Sequence, residues 1–345
     1  MKRIVTLLMV IVSAVVGGTV ASTVERANAA AIIATRLANH PAFQGASTAR
    51  TSVGLKPLTE LSATDRYKGE DGGLYGGGRN APPPAHLAAA KAAGARITPL
   101  NADGKPAGDG AIGLVSISMS NATQEFSLFK QLADKDTRKS PRVVIVDCAQ
   151  GGQAMAQWAN PEAEAWTEAD RRLAAAALGS KQVQVAWIKL ANVRPSGDLA
   201  QHGRKLYADT LTVLQLAKKR LPNLRIAYLG SRIYAGYSTM PLNPEPYAYE
   251  GAFAVRWLIQ DQIKGAAPLR YDDAAGVAQV PLLLWGPYLW ADGTTPRKAD
   301  GLTWQRDDLA ADGTHPSENG RRKVASMLHD YFTTDALAKS WFTTR

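Results

Sequence analysis

Short β-branched runs alternate with longer amphipathic segments along most of this chain, and no other feature of the sequence limits the fold as strongly. Strands that are each followed by a helix form parallel sheets with helices on both faces. The sequence therefore predicts an α/β fold whose ligand sites lie at the carboxyl ends of the strands. The predicted strands are 112–117, 143–146, 183–190, 224–229 and 280–284, and the predicted helices are 123–133, 161–178, 198–221, 246–263 and 317–332.

The first thirty residues have the pattern of an export signal. Lys2 and Arg3 precede an apolar run, and Ala27-Asn28-Ala29 is an A-x-A sequence of the kind that signal peptidase cleaves. We expect residues 1–29 to be a signal peptide and the protein to be secreted or periplasmic, without stable membrane insertion after cleavage. An uncleaved anchor is the alternative, because the run approaches the about 20 residues that a membrane span needs. We then expect residues 30–100 to form an N-terminal extension packed on the core and residues 101–345 to form the main domain.

Composition excludes some classes of protein. The chain is 46% hydrophobic and 20% charged, which is ordinary for a globular protein. Cys148 is the single cysteine, so no internal disulfide is expected, and its place at the end of an apolar run favours a buried thiol. The formal net charge of +10 suits a polyanionic neighbour or simply solubility. No aromatic residues interrupt the basic runs 218–220 and 321–323, so nucleic-acid binding is not expected.

A cluster of serines follows the first predicted strand. Ser118 and Ser120 lie at the strand exit, directly before a helix, whereas Ser116 lies within the strand. A serine hydroxyl there, with its own N–H near the positive end of a helix, suits a nucleophile whose attack creates an oxyanion. Taken alone, the same residues are better explained as a helix N-cap.

Two other strand exits carry candidate hydrogen-bond donors. Gly151 and Gly152 follow the second predicted strand, and Asn192 follows the third. The glycines either form a simple turn or bring a bare backbone N–H to an anion. The Asn192 amide either caps its loop or donates into the site.

The segment between the last strand and the last helix decides among these alternatives. Asp312 precedes His315 by three residues in a tight turn. The carboxylate can bond one ring nitrogen of the histidine and leave the other free as a base. A nucleophile, two oxyanion donors, a base and its orienting acid then lie at four strand ends.

With these residues the sequence resembles the SGNH hydrolase superfamily, the GDSL lipases and esterases, over about residues 110–332. The strongest element is "DGTHPS". The resemblance implies that Ser120 is the nucleophile, that Asp312 and His315 complete the triad, and that Gly152 and Asn192 join Ser120 in the oxyanion hole. It also implies a three-layer α/β/α sandwich with strand order 2-1-3-4-5, and ester hydrolysis without a metal or organic cofactor.

The segments after the first and third predicted strands depart from the family pattern. Ser118-Met119-Ser120-Asn121 lacks the usual Gly and Asp before the serine, and Asn192 is followed by Val193 rather than an acid. A divergent, secreted branch is implied. Two alternatives therefore stay open: a catalytically inactive carbohydrate-binding or scaffold protein of this fold, and an acyltransferase that uses the same triad.

The long connection after the fourth strand is the expected substrate-binding element. Aromatic faces with a few polar groups suit a sugar ring, and long loops in such folds often bind ligands. We therefore expect the substrate to be a small-molecule or polysaccharide ester, with a small acyl group such as acetyl on a carbohydrate. The expected substrate-binding residues are Arg232, Tyr234, Tyr237, Tyr247 and Glu250.

Overall fold

The computed structural model describes residues 50–273 and 276–344, so the predicted signal peptide lies outside the described residues. Within them, five parallel strands form one sheet in the order β2-β1-β3-β4-β5. The predicted α/β fold and strand order are confirmed. The strands are β1 (Ile112–Ile117), β2 (Val143–Asp147), β3 (Val183–Lys189), β4 (Ile226–Gly230) and β5 (Leu282–Trp285).

Helices cover both faces of the sheet, and this explains the apolar character of the strands. Every residue of β1, β3, β4 and β5 is buried, whereas the edge strand β2 has half-buried positions. On one face lie α1 (Pro84–Ala95), α2 (Ser120–Lys135), α7 (Glu318–Thr334) and α8 (Lys339–Phe342). On the other lie α3 (Met155–Trp158), α4 (Glu164–Ala175), α5 (Arg204–Arg220) and α6 (Tyr247–Ile263). A π-helical turn, Leu199–Gly203, leads into α5.

Aromatic rings form much of the packing between the helices and the sheet. On the face of α2, the ring of Phe129 stacks on Phe332 of α7 with centroids 5.3 Å apart. Phe126 of the same helix stacks on Trp187 of β3 at 5.6 Å. These contacts fix α2 against the sheet and therefore fix the position of its first residue, Ser120.

The N-terminal segment before α1 packs into the same core. Leu58, Leu74 and Tyr75 are buried among the core side chains, and the Leu74 carbonyl accepts a 2.8 Å hydrogen bond from the indole of Trp285 in β5. Arg256 of α6 forms ion pairs with Glu70 and Asp71. Apolar burial and charge pairing thus both hold this segment on the sheet.

Side chains satisfy the free edge of β5. The Leu283 carbonyl bonds to His86 Nε2 at 2.8 Å, and the Leu283 N–H donates to the side-chain oxygen of Gln262 at 2.7 Å. An unpaired strand edge is normally open to another strand. Here α1 and α6 supply the hydrogen-bond partners that a sixth strand would have supplied.

No helix within residues 50–273 and 276–344 combines the length and apolar character that crossing a lipid bilayer requires.

The close approach of β1 to β3 predicts a strong effect of Gly113→Ala. A Cβ at Gly113 would lie 2.8 Å from the Val183 Cα atom and 2.8 Å from Leu178 Cδ2. We expect the free energy of unfolding, measured by urea denaturation, to fall by about 1–3 kcal/mol because the two strands must separate. Gly108→Ala is the control, because no atom lies within 4 Å of its Cβ, and it should change stability by less than about 1 kcal/mol. Equal midpoints for the two variants would contradict this account.

Candidate active site

Ser120 is the first residue of α2 and follows β1 after two residues. Its Oγ atom lies 2.8 Å from Nε2 of His315, and both side chains are half-buried. The backbone N–H of Ser120 lies in the first turn of the helix, where the N–H groups have no partner within the helix and the helix dipole is positive. The hydroxyl of Ser120 therefore bonds to a base, and the backbone N–H of the same residue can donate to a negative charge that forms nearby.

His315 is held by Asp312 in the turn before α7. Nδ1 of His315 bonds to Asp312 Oδ2 at 2.6 Å, and the other carboxylate oxygen accepts from the backbone N–H groups of Thr314 and His315 at 2.9 and 3.0 Å. Gly313 allows the tight turn with φ of +62°, and a Cβ there would lie 1.8 Å from the Tyr237 carbonyl oxygen. The ring therefore donates from Nδ1, which leaves Nε2 to accept the proton of Ser120.

The carboxyl group of Asp312 is held in its ionised form. Burial alone would raise its pKa, but the hydrogen bond and charge of His315, together with the backbone N–H groups of His315 and Thr314, lower it to about 2. The acid therefore remains a carboxylate at any pH at which the histidine acts as a base.

Two buried side chains bind the carbonyl oxygen of Thr314, the residue before His315. Asn121, which follows Ser120, donates to this oxygen from Nδ2 at 2.9 Å. Arg232, two residues after β4, donates from Nη2 at 3.2 Å. The start of α2 and the histidine turn are thus joined directly, independently of the bond between Ser120 and His315.

A buried ion pair lies on the same helix as the serine. Glu125 of α2 bonds to Lys189, the last residue of β3, with both carboxylate oxygens within 2.7 Å of Nζ. Both side chains are fully buried, and burial raises the pKa of Glu125 and lowers that of Lys189. The pair ties α2 to the centre of the sheet.

The other two serines near the end of β1 have structural partners. Ser118 Oγ donates to the Lys189 carbonyl, and Ser116 Oγ donates to Asp147 at 2.5 Å. Both are fully buried, so of these three serines Ser120 is the one that bonds to a histidine.

The predicted oxyanion residues lie in loops that follow β2 and β3, the strands on either side of β1. Gly152 is exposed, with φ of +79°, in a loop whose Gln150 N–H donates to the Ser118 carbonyl at 2.9 Å. Asn192 accepts from the Ala156 N–H at 3.0 Å through Oδ1. Because parallel strands end at the same edge of the sheet, both loops flank the Ser120 end of β1. Their part in catalysis stays a prediction.

Most of the expected substrate-binding side chains lie in the interior of the protein. Arg232, Tyr234, Tyr237 and Glu250 are buried, and Tyr247 is half-buried with its ring edge on His202. The hydroxyl of Tyr234 donates to the Arg50 carbonyl and that of Tyr237 to the Trp304 carbonyl.

These side chains have hydrogen-bond and ion-pair partners within the protein. The Glu250 carboxylate bonds to His202, Tyr67 and Lys68. The segment after β4 contributes to the site through its backbone, since the Thr239 N–H donates to the Asp312 carbonyl at 3.0 Å. Because Tyr234 and Tyr237 are buried, they present no open ring face, and the part of the five residues in substrate binding stays a prediction.

No group of three or more His, Cys, Asp or Glu side chains in the described part of the chain is arranged to hold a metal ion. Cys148 is buried, and burial raises the pKa of its thiol, so the sulfur is a packing atom rather than a nucleophile.

The sequence prediction missed Asn121, Asp209 and the Glu125–Lys189 pair. Asp209 of α5 bonds to the Asn192 amide and is seventeen residues away in the chain. One signal was available: Lys189 is a charged residue near the end of an otherwise apolar run, "VQVAWIKL", which indicates a buried partner.

No protein-family model matches the chain, and a comparison with curated proteins finds no match. Among solved structures, the chain is similar to a proposed acylhydrolase from Bacteroides fragilis NCTC 9343, with 11% sequence identity and a TM-score of 0.36. The match covers 74% of this chain and 100% of the other. At this identity and TM-score the likeness assigns neither a fold nor an activity to the chain.

The buried ion pair predicts a large loss of stability in Lys189→Met. The change leaves the Glu125 carboxylate buried without its partner, so the free energy of unfolding should fall by about 3–5 kcal/mol. The double variant Glu125→Met/Lys189→Met should recover most of this loss in urea denaturation. Lys130→Met, which breaks the exposed pair with Asp134 on the same helix, is the matched control and should cost less than about 1 kcal/mol. If the double variant is no more stable than Lys189→Met, an unpaired Glu125 carboxylate is not the cause of the loss.

The lowered pKa of Asp312 predicts an acid-dependent contribution to stability. Its pKa is about 2 in the folded chain against 3.8 for a free side chain, so the stabilisation is complete above about pH 4 and is lost as the pH falls through 2. The stability difference between the wild type and Asp312→Asn should therefore be larger near pH 6 than near pH 2, by roughly 2 kcal/mol. Chemical denaturation at the two pH values measures this, and a constant difference would contradict it.

Proposed function

We propose that this protein is a divergent serine ester hydrolase of the SGNH type. The observation that carries the proposal is the continuous chain of hydrogen bonds from Ser120 Oγ to His315 Nε2 at 2.8 Å and from His315 Nδ1 to Asp312 at 2.6 Å. A nucleophile on a base, with the base oriented by an acid, is the arrangement that activates serine.

In the proposed reaction, Ser120 Oγ attacks the carbonyl carbon of an ester while His315 Nε2 takes the hydroxyl proton. The tetrahedral intermediate collapses, the alcohol leaves with the proton returned by Nε2, and an acyl group remains on the serine. Water then attacks the acyl carbonyl while His315 Nε2 accepts its proton, and Nε2 returns this proton to Ser120 Oγ as the carboxylic acid leaves. Asp312 stabilises the imidazolium that forms in both steps.

The proposed oxyanion hole combines the N–H groups of Ser120 and Gly152 with the amide of Asn192. Three properties support these assignments: the helix start at Ser120, the left-handed backbone that exposes Gly152, and the position of Asn192 after the strand adjoining β1. Donors of this kind act on charge that develops in the transition state, and loss of one costs about 100- to 1,000-fold in turnover.

The proposed substrate is an ester with a small acyl group such as acetyl. A carbohydrate alcohol remains the first class to test, but Tyr234 and Tyr237, two of the rings that suggested a sugar, are buried and give the alcohol part no support. Acetate esters of a phenol and of an oligosaccharide, assayed side by side, distinguish a general esterase from a carbohydrate esterase.

Labelling by a fluorophosphonate probe tests the nucleophile. We expect the wild type to label and to hydrolyse a phenyl acetate, and Ser120→Ala and His315→Ala to lose at least about 1,000-fold of that activity. Ser118→Ala is the control, because this nearby serine bonds to the Lys189 carbonyl and not to histidine, and it should still label.

A folded wild type that neither labels nor hydrolyses would overturn the hydrolase proposal and favour an inactive scaffold. Labelling in Ser120→Ala would place the nucleophile elsewhere. If an added sugar acceptor diverts the product from free acid to acylated sugar, the same triad performs acyl transfer.

A further inference from the structure

The side chain of Asn192 is held at both ends of its amide. Oδ1 accepts from the backbone N–H of Ala156 at 3.0 Å, and Nδ2 donates to Oδ2 of Asp209 at 2.6 Å. Asn192 is buried with 9% of its surface exposed, and Asp209 lies on α5, the helix that follows β3 in the chain. The Asn192 backbone carbonyl also accepts from the amide of Asn243 at 3.1 Å.

These two partners allow one orientation of the amide. Rotating the group by 180° would turn Oδ1 toward the Asp209 carboxylate, and it would turn the Nδ2 hydrogens toward the Ala156 N–H. An acceptor would then face an acceptor and a donor would face a donor, so the rotated form is disfavoured at both ends. The terminal torsion of asparagine is otherwise broad, so an amide without such partners samples both orientations.

A primary amide has two N–H donors, and Asp209 uses one of them. The second N–H stays on the same nitrogen and is available to an acceptor at the carboxyl edge of the sheet. The carboxylate of Asp209 thus fixes which end of the amide is the donor, and a donor is what the proposed oxyanion hole needs from Asn192.

We propose that Asp209 is a positioning residue of the active site: its carboxylate fixes the Asn192 amide with Nδ2 presented to the oxyanion. This inference rests on the proposed ester hydrolysis. Asp209 does not touch the reacting atoms, and its effect passes through Asn192 alone.

An exposed lysine provides a matched control at the same carboxylate. Lys205 pairs with Asp209 Oδ2 at 2.9 Å on one face of α5, and 64% of its side chain is exposed. Lys205→Met removes this pair and keeps the carboxylate. Exposed pairs of this kind contribute little, so this variant should keep kcat within about twofold of the wild type.

The test is a double-mutant cycle on ester hydrolysis. Asp209→Ala should lower kcat by about tenfold with little change in KM, because one strong hydrogen bond no longer holds the donor that acts in the transition state. Asp209→Asn should recover most of the loss, because its side-chain oxygen can still accept from Asn192. In the Asn192→Ala background, Asp209→Ala should have no further effect on kcat, and thermal denaturation of each variant checks that it is folded.

The outcomes separate this inference from the proposed function. If the wild type is active and Asp209→Ala matches it, the positioning role is refuted. The same is true if Asp209→Ala lowers kcat equally with and without Asn192, because the effect would then not pass through that amide. If Asp209→Asn is as slow as Asp209→Ala, the carboxylate charge rather than the amide orientation is responsible, which also overturns the proposal. A folded wild type that is neither labelled nor able to hydrolyse esters would instead refute the proposed ester hydrolysis.

Discussion

The carbonyl oxygen of Thr314 is the point on which the alignment of the candidate triad depends. It accepts hydrogen bonds from Asn121 at the start of α2 and from Arg232 in the segment after β4. The bond between Ser120 and His315 joins two half-buried side chains and would be easily lost if the turn moved. These buried hydrogen bonds to the backbone of the turn hold His315 at a fixed distance from Ser120 before any substrate binds. They come from two different segments of the chain. Such advance ordering is what acyl transfer needs, since small misplacements of reacting groups are costly.

Charge buried under the site has a related role. Glu125 and Lys189 are both fully buried, which costs desolvation free energy that an apolar pair would avoid. In return, the pair joins the helix that carries the candidate nucleophile to the strand that leads to Asn192. Asp209 holds Asn192, Asp312 holds His315, and the Glu125–Lys189 pair holds the helix that begins with Ser120. Each of these three candidate functional groups is therefore fixed by charged side chains that do not themselves react. Rigidity in this site therefore comes from directional polar bonds as well as from packing.

The fold was accessible from the sequence because its signal is local. β1 spans the predicted residues, and the helix predicted at 246–263 begins one residue later at Tyr247, since strand and helix periodicities repeat over a few residues. The proximity of Ser120 to His315 required only that parallel strands end at one edge. The burial of Tyr234 and Tyr237 was not predicted because tyrosine has an apolar ring and a polar hydroxyl, and burial depends on whether a distant carbonyl accepts from that hydroxyl. The hydrogen bond from Asn192 to Asp209 joins a loop to a helix, and neither strand nor helix periodicity in the sequence indicates it.

The bonds that His86 and Gln262 make to the edge of β5 have a consequence for dissection of the chain. A shortened protein that began after α1 would lose His86 and leave the Leu283 carbonyl oxygen without its partner on an apolar strand. Such an edge can recruit a strand from another copy, and assembly between chains would then compete with folding. The bond from α1 therefore satisfies an acceptor that would otherwise lie open on the sheet edge, although α1 is far along the chain from the histidine turn.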